Sequence, residues 1–84
     1  MEKGFNSDVT SDGVTYHIQT EDWGRENPYL VSRVFRNGAV IKTIKTAYEE
    51  ALKSGPSSHS ESIRLAMREQ HHQILDLINS GQFN

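Results

Sequence analysis

The chain has 84 residues and a mass of 9.5 kDa, is 35% hydrophobic and 24% charged, and carries a formal net charge of −2. That length confines it to one small domain with a modest core, and excludes a multi-domain enzyme or a large cofactor-binding fold. The absence of cysteine excludes disulfides, thiolate metal sites and cysteine nucleophiles.

Phe5 to Thr10 reads as a short strand, and Ser11-Asp12-Gly13 as a tight turn in which Gly13 is free to take positive φ. From Val14 to Thr20 the side chains alternate: Val14, Tyr16 and Ile18 on one side, Thr15, His17 and Gln19 on the other. A period of two marks a half-buried strand, so a first hairpin is expected. Glu21 to Pro28 reads as a charged loop. Tyr29 to Arg36 forms a third strand on Leu30, Val31, Val34 and Phe35. Asn37-Gly38 follows, a strong hairpin signal because both positions tolerate positive φ, and Ala39 to Lys45 returns.

Two helices are then predicted. Thr46 and Glu49 fit a capping box opening a short helix over 46–54, which Gly55 ends and Pro56 keeps from continuing. Residues 54–60 form a polar linker. Ser58 and Glu61 fit a second capping box, starting a long helix over 61–80 with Gly81 at its left-handed C-cap. Ile63, Ala66, Met67, Ile74, Leu77 and Ile78 fall on one stripe, Leu65 and Leu75 widen it, and His71 borders the core. The expected fold is a single α+β domain: a four-stranded antiparallel sheet of two hairpins over 1–45, a short helix, and a long helix packed on one face.

The charges are segregated. Residues 1–29 carry Lys3 and Arg25 against Glu2, Asp8, Asp12, Glu21, Asp22 and Glu26, a net −4. Residues 30–46 carry Arg33, Arg36, Lys42 and Lys45 with no acid, a net +4, and residues 47–84 return to −2. The basic segment either faces an acidic partner or pairs with the acidic block of its own chain. A negative whole argues against non-specific nucleic-acid binding.

One helical layer covers one sheet face. A two-residue turn at Asn37-Gly38 pairs Phe35 with Val40 and Val31 with Ile44 on one face, and places Val34 and Ile41 on the other. Both faces of the second hairpin are then partly apolar, with Arg33 and Lys42 among them; a three-residue bulged turn regroups the pairs and still leaves apolar residues on both faces. Either a partner or a second copy covers the spare face, or the short helix or the N-terminal segment does. Trp23, Arg25, Tyr29, Arg33, Phe35, Arg36 and Lys42 make the candidate partner-binding set, since Trp and Tyr beside Arg are typical anchors. Trp23 could instead fold back and cap the core.

Catalytic, metal and cofactor chemistry find little footing. Glu21 and Asp22 are neighbouring carboxylates, but acid–base work needs a cleft, here one converging on them and His17. His71 and His72 are adjacent, not at the i, i+4 spacing of a helical zinc site. Gly24 lacks the companion glycines of a phosphate loop. No catalytic residue, metal or cofactor is expected. Apolar runs fall far short of the roughly 20 residues of a membrane span, and Met1 to Asn6 lacks the apolar segment of a signal peptide, so a soluble, cytoplasmic protein is expected.

The run Gly4 to Thr10, then Tyr16-His-Ile-Gln-Thr-Glu-Asp-Trp-Gly24, Asn27-Pro28, Asn37-Gly38, Lys45 to Tyr48 and Arg68-Glu-Gln-His-His72 resembles a group of small bacterial proteins over nearly the whole chain. At a greater distance it resembles the RomX-like polar-motility adaptors. That second resemblance implies an adaptor that works with a response regulator on a Ras-like GTPase and promotes nucleotide exchange. It supplies a partner class and no residue roles. The expected function is a non-catalytic protein-interaction module in bacterial signalling, with a small GTPase or response regulator as partner, or with itself as a homodimer. The alternative is a small nucleic-acid-binding regulator using the basic 30–46 hairpin.

Overall fold

The computed structural model describes residues 3–53 and 59–82, with side chains at 59 and 60 left aside. Strands β1 (Phe5–Ser11), β2 (Val14–Asp22), β3 (Tyr29–Arg36) and β4 (Ala39–Ala47) form one antiparallel sheet in the order β1-β2-β3-β4. Helix α1 (Tyr48–Leu52) and the long α2 (His59–Asn79) follow. The α+β plan expected from the residues is therefore the plan observed. Among the described residues, no helix is long and apolar enough to cross a membrane.

Both hairpins turn on two residues with positive φ: Asp12 and Gly13 at 51° and 76°, Asn37 and Gly38 at 53° and 79°. Such left-handed pairs match the natural twist of the strands they join. At the far end, Gly81 has φ 75°. Its N–H donates to the Ile78 carbonyl at 3.1 Å, and the Gln82 N–H donates to Leu77 at 3.0 Å. This is a Schellman closure on the expected glycine.

Several boundaries differ from the expectation. Glu21 and Asp22 belong to β2, not to a loop, because Glu21 pairs with Val31 and Asp22 with Leu30. Thr46 lies in β4 opposite Leu30. Helix α1 is capped at Ala47 without a side-chain hydrogen bond, so the first capping box does not form. The expected stop at Gly55-Pro56, the 54–58 part of the linker and the Ser58 cap lie outside the described residues; α2 is already helical at His59.

The register of the second hairpin also differs. Phe35 pairs with Val40 as expected, but the next partner of β3, Val34, pairs with Lys42. Ile41 is the extra residue of a β-bulge, which moves everything beyond it by one. Val31 consequently faces Lys45 rather than Ile44, and Ile44 turns to the helix side opposite Ser32.

Helix α2 lies over β1 and β2 and touches β3 less. Its inner face is fully buried at Ile63, Met67, Ile74 and Ile78, but Leu77, placed on the stripe by spacing, is 40% exposed. The core has two apolar clusters. Tyr16, Ile18, Val34, Ile74 and Ile78 fill one end, and Leu30, Tyr48, Ile63 and Met67 the other.

Between the clusters runs a polar seam. The His71 Nδ1 and Nε2 atoms lie 2.7 Å from Thr20 Oγ1 and 2.8 Å from Ser7 Oγ. Thr20 and Ser32 hydroxyls meet at 2.7 Å. Gln70 Nε2 donates to Ser32 Oγ at 2.8 Å and more weakly to the Ile44 carbonyl at 3.4 Å, while the Thr46 hydroxyl donates to Gln70 Oε1. Two adjacent residues of α2 thus tie it to all four strands. Among the described residues, no buried side-chain polar atom is left without a hydrogen-bond partner, as a low-dielectric interior requires. Burial lowers the His71 pKa, with His72 and His17 adding to the effect.

Candidate functional site

The seven residues of the candidate set do not share one surface. Strand alternation sends Tyr29, Arg33 and Phe35 to the face opposite α2, and Arg36 to the helix side with Leu30, Ser32 and Val34. Lys42, paired with Val34, joins Arg36 on the helix side. Arg25 stays in the loop and acts electrostatically on Tyr48.

On the face away from α2, Trp23 organises a compact group. Its N–H donates to the Tyr29 carbonyl at 3.0 Å, extending the β2–β3 ladder by one step. The Arg33 guanidinium stands 5.5 Å from its ring centroid, and Lys45 Nζ stands 5.0 Å from it and 5.4 Å from that of Tyr29. Glu21 meets Arg33 at 3.8 Å. Val31 is fully buried on this face; Lys45 is its cross-strand partner and Arg33 lies two residues along β3, so the two cations that hold the indole flank it. Trp23 therefore neither projects as a bare anchor nor caps the core beneath α2. It lies on the second face from the loop, in the place expected of the short helix or the N-terminal segment, and leaves Tyr29 and Val40 exposed there. Lys45, outside the candidate set, is part of this group; period-two spacing from the turn would have found it only with the bulge known.

Further along the same face, His17 and Phe35 rings lie 5.8 Å apart, and His17 Nδ1 meets Asp8 at 2.7 Å. Val40, the partner of Phe35, remains 50% exposed.

On the helix side, β4 emerges beyond the reach of α2. Tyr16, Ile41, Ile44 and Leu77 line a hollow of about 260 Å³ with Arg36 and Lys42 beside them. Ile41 and Leu77 are each 40% exposed there. Among the described residues, neither Arg36 nor Lys42 has a carboxylate within ion-pair distance; pairing between the acidic and basic blocks is confined to Glu21 and Arg33.

The two carboxylates beside Trp23 do not converge. Glu21 faces Arg33, whereas Asp22 is buried on the helix side, where it accepts from the Tyr48 hydroxyl and from the Gly24 N–H at 2.9 Å. Burial, reinforced by that hydrogen bond and by the Asp22 charge, pushes the Tyr48 phenol up to about 12. Adjacent positions on a strand point to opposite faces, so a cleft joining Glu21, Asp22 and His17 is not formed. His71 is likewise engaged at both ring nitrogens, and among the described residues no three His, Asp or Glu side chains gather as a metal site. No protein-family model matches the chain, and neither a curated protein nor a solved structure does.

Proposed function

We propose that this domain is a non-catalytic protein-interaction module of bacterial signalling, working as an adaptor through its second hairpin and the Trp23 loop. One observation carries the reading: Ile41 and Leu77, each 40% exposed on the helix side of β4, are bordered by Arg36 and Lys42, which are unpaired among the described residues, while Val40 is exposed on the other face of the same strand. An apolar centre with a charged rim is the anatomy of a protein contact. The resemblance to RomX-like adaptors supports the same reading and names the partner class, a response regulator or a Ras-like GTPase of a polarity system.

The test is charge reversal. Tagged wild-type protein and the Arg33→Glu/Arg36→Glu variant are used to capture partners from native lysate, with folding checked by circular dichroism. The variant is expected to fold normally and lose the proteins that the wild type retains. Equal capture by both overturns the reading. Retained material that is nucleic acid, released steeply by salt, would transfer the basic strands to the alternative role.

A further inference from the structure

We propose that the free edge of β4 receives an extended acidic segment of a partner protein as a fifth strand, with one of its apolar side chains seated in the hollow between β4 and the end of α2. This rests on the adaptor reading and names the chemistry of the partner.

Strand β4 is at the rim of the sheet and pairs, among the described residues, with β3 alone. Its outward main-chain groups offer alternating donors and acceptors, which another extended backbone satisfies. Because α2 sits over β1 and β2 and reaches β4 at Ile44 and Thr46 through Gln70, the helix side of the strand is open short of Ile44, and residues 39–43 are all exposed. The Ile41 bulge interrupts the ladder at one end, so the usable run is Lys42–Thr46.

In strand addition the main chain supplies affinity and a pocket for an alternate side chain supplies specificity. The hollow floored by Ile41, Ile44 and Leu77 is that pocket. Its volume of about 260 Å³ is below the roughly 300–1,000 Å³ of small-molecule sites. Arg36 and Lys42 beside it select acidic neighbours.

Charge decides between occupants. A second copy pairing β4 with β4 would bring a segment carrying Lys42 and Lys45 against another, and edge lysines are a standard guard against such self-pairing; the other edge, β1, would offer a single carboxylate, Asp8, already held by His17. A nucleic-acid strand would need a free aromatic face beside the cations, and at the hollow where Arg36 and Lys42 stand the aromatic side chain is Tyr16, which is buried. An acidic peptide meets neither obstacle.

The test selects a phage-displayed library of random dodecapeptides on the purified domain and follows synthetic copies of the enriched sequences. Peptides alternating Asp or Glu with apolar residues are expected. They should protect the Lys42–Thr46 amides from hydrogen exchange and bind at least roughly tenfold more weakly to Arg36→Glu/Lys42→Glu. Peptides that leave those amides unprotected, ignore that variant and are lost with Trp23→Ala overturn the edge assignment while leaving the adaptor reading intact. So does a domain that protects the edge by dimerising without peptide. An empty selection removes the fifth strand, and lysate capture still decides the adaptor reading separately.

Discussion

β2 and β4 are both nine residues long, both apolar at intervals, and both in the same sheet. Yet every second residue of β2 from Tyr16 to Asp22 is buried, and residues 39–43 of β4 are exposed without exception. The difference is not in propensity. It comes from position, central against peripheral, and from the line along which α2 crosses. Burial in a two-layer domain is a property of the layer above, so the sequence of a strand states what it could bury and not what it does.

The largest effect should come from breaking this contrast in the core. Ile18→Ala removes a fully buried side chain and should cost about 2–5 kcal/mol in urea unfolding, whereas Ile41→Ala, at a half-exposed site, should stay within about 0.5 kcal/mol. Equal losses would mean that β4 is covered in solution.

The polar seam beneath β2 gives the next effect. His71→Ala leaves the Thr20 and Ser7 hydroxyls short of a partner and should cost about 2–3 kcal/mol. It should also change the pH dependence. Neutral His71 accepts from one hydroxyl and donates to the other, so a directed chain runs Gln70, Ser32, Thr20, His71, Ser7. A protonated ring would have to donate twice and break it. Since the folded pKa is lowered, the unfolded state takes up the proton first. Stability should therefore fall as pH drops below about 6.5, by at most about 1.4 kcal/mol per pH unit. His71→Ala should flatten that slope in urea midpoints between neutral and mildly acid pH.

On the open face, Trp23→Ala should remove the ring that Arg33 and Lys45 flank and cost about 1–2 kcal/mol. As the only tryptophan, Trp23 should also shift its emission to the red when Lys45→Ala removes one of its flanking cations. An unchanged spectrum would remove the indole from that face. The smallest effect is alkaline. With its phenol raised to about 12, Tyr48 holds its proton in the folded state above pH 10, where the unfolded chain loses it. Stability should decline as pH rises from about 10 towards 12, and Tyr48→Phe, costing about 1 kcal/mol at neutral pH, should lessen that decline.

Local chemistry made much of the fold legible. The Asn37-Gly38 turn, the alternation of Val14 to Thr20 and the Gly81 closure are all written in neighbouring residues. What escaped depends on distant ones. Thr46 looked like a helix cap because Glu49 lies three residues on, but in the fold its hydroxyl serves Gln70. The Ile41 bulge has no local mark, and it decides which side of β4 carries Lys45. Thr20, Ser32 and Gln70 are unremarkable until pairing brings them together. The candidate site fared in the same way: Trp23, Tyr29 and Arg33 meet, and Arg36 and Lys42 meet, but on opposite faces.

The seam has one more consequence. The inner stripe of α2 nearly repeats itself at a shift of four, Ile63 onto Met67 and Ile74 onto Ile78, a slide of about 6 Å, just over one helical turn. Oily packing alone would scarcely distinguish the helix from a copy slid along its own axis by that amount. Gln70 and His71 occur together once, and only one setting lets them reach Ser7, Thr20, Ser32 and Thr46. They act as a key cut for a single notch, holding the far end of the helix, and Leu77 with it, at a fixed height above the rim of the sheet.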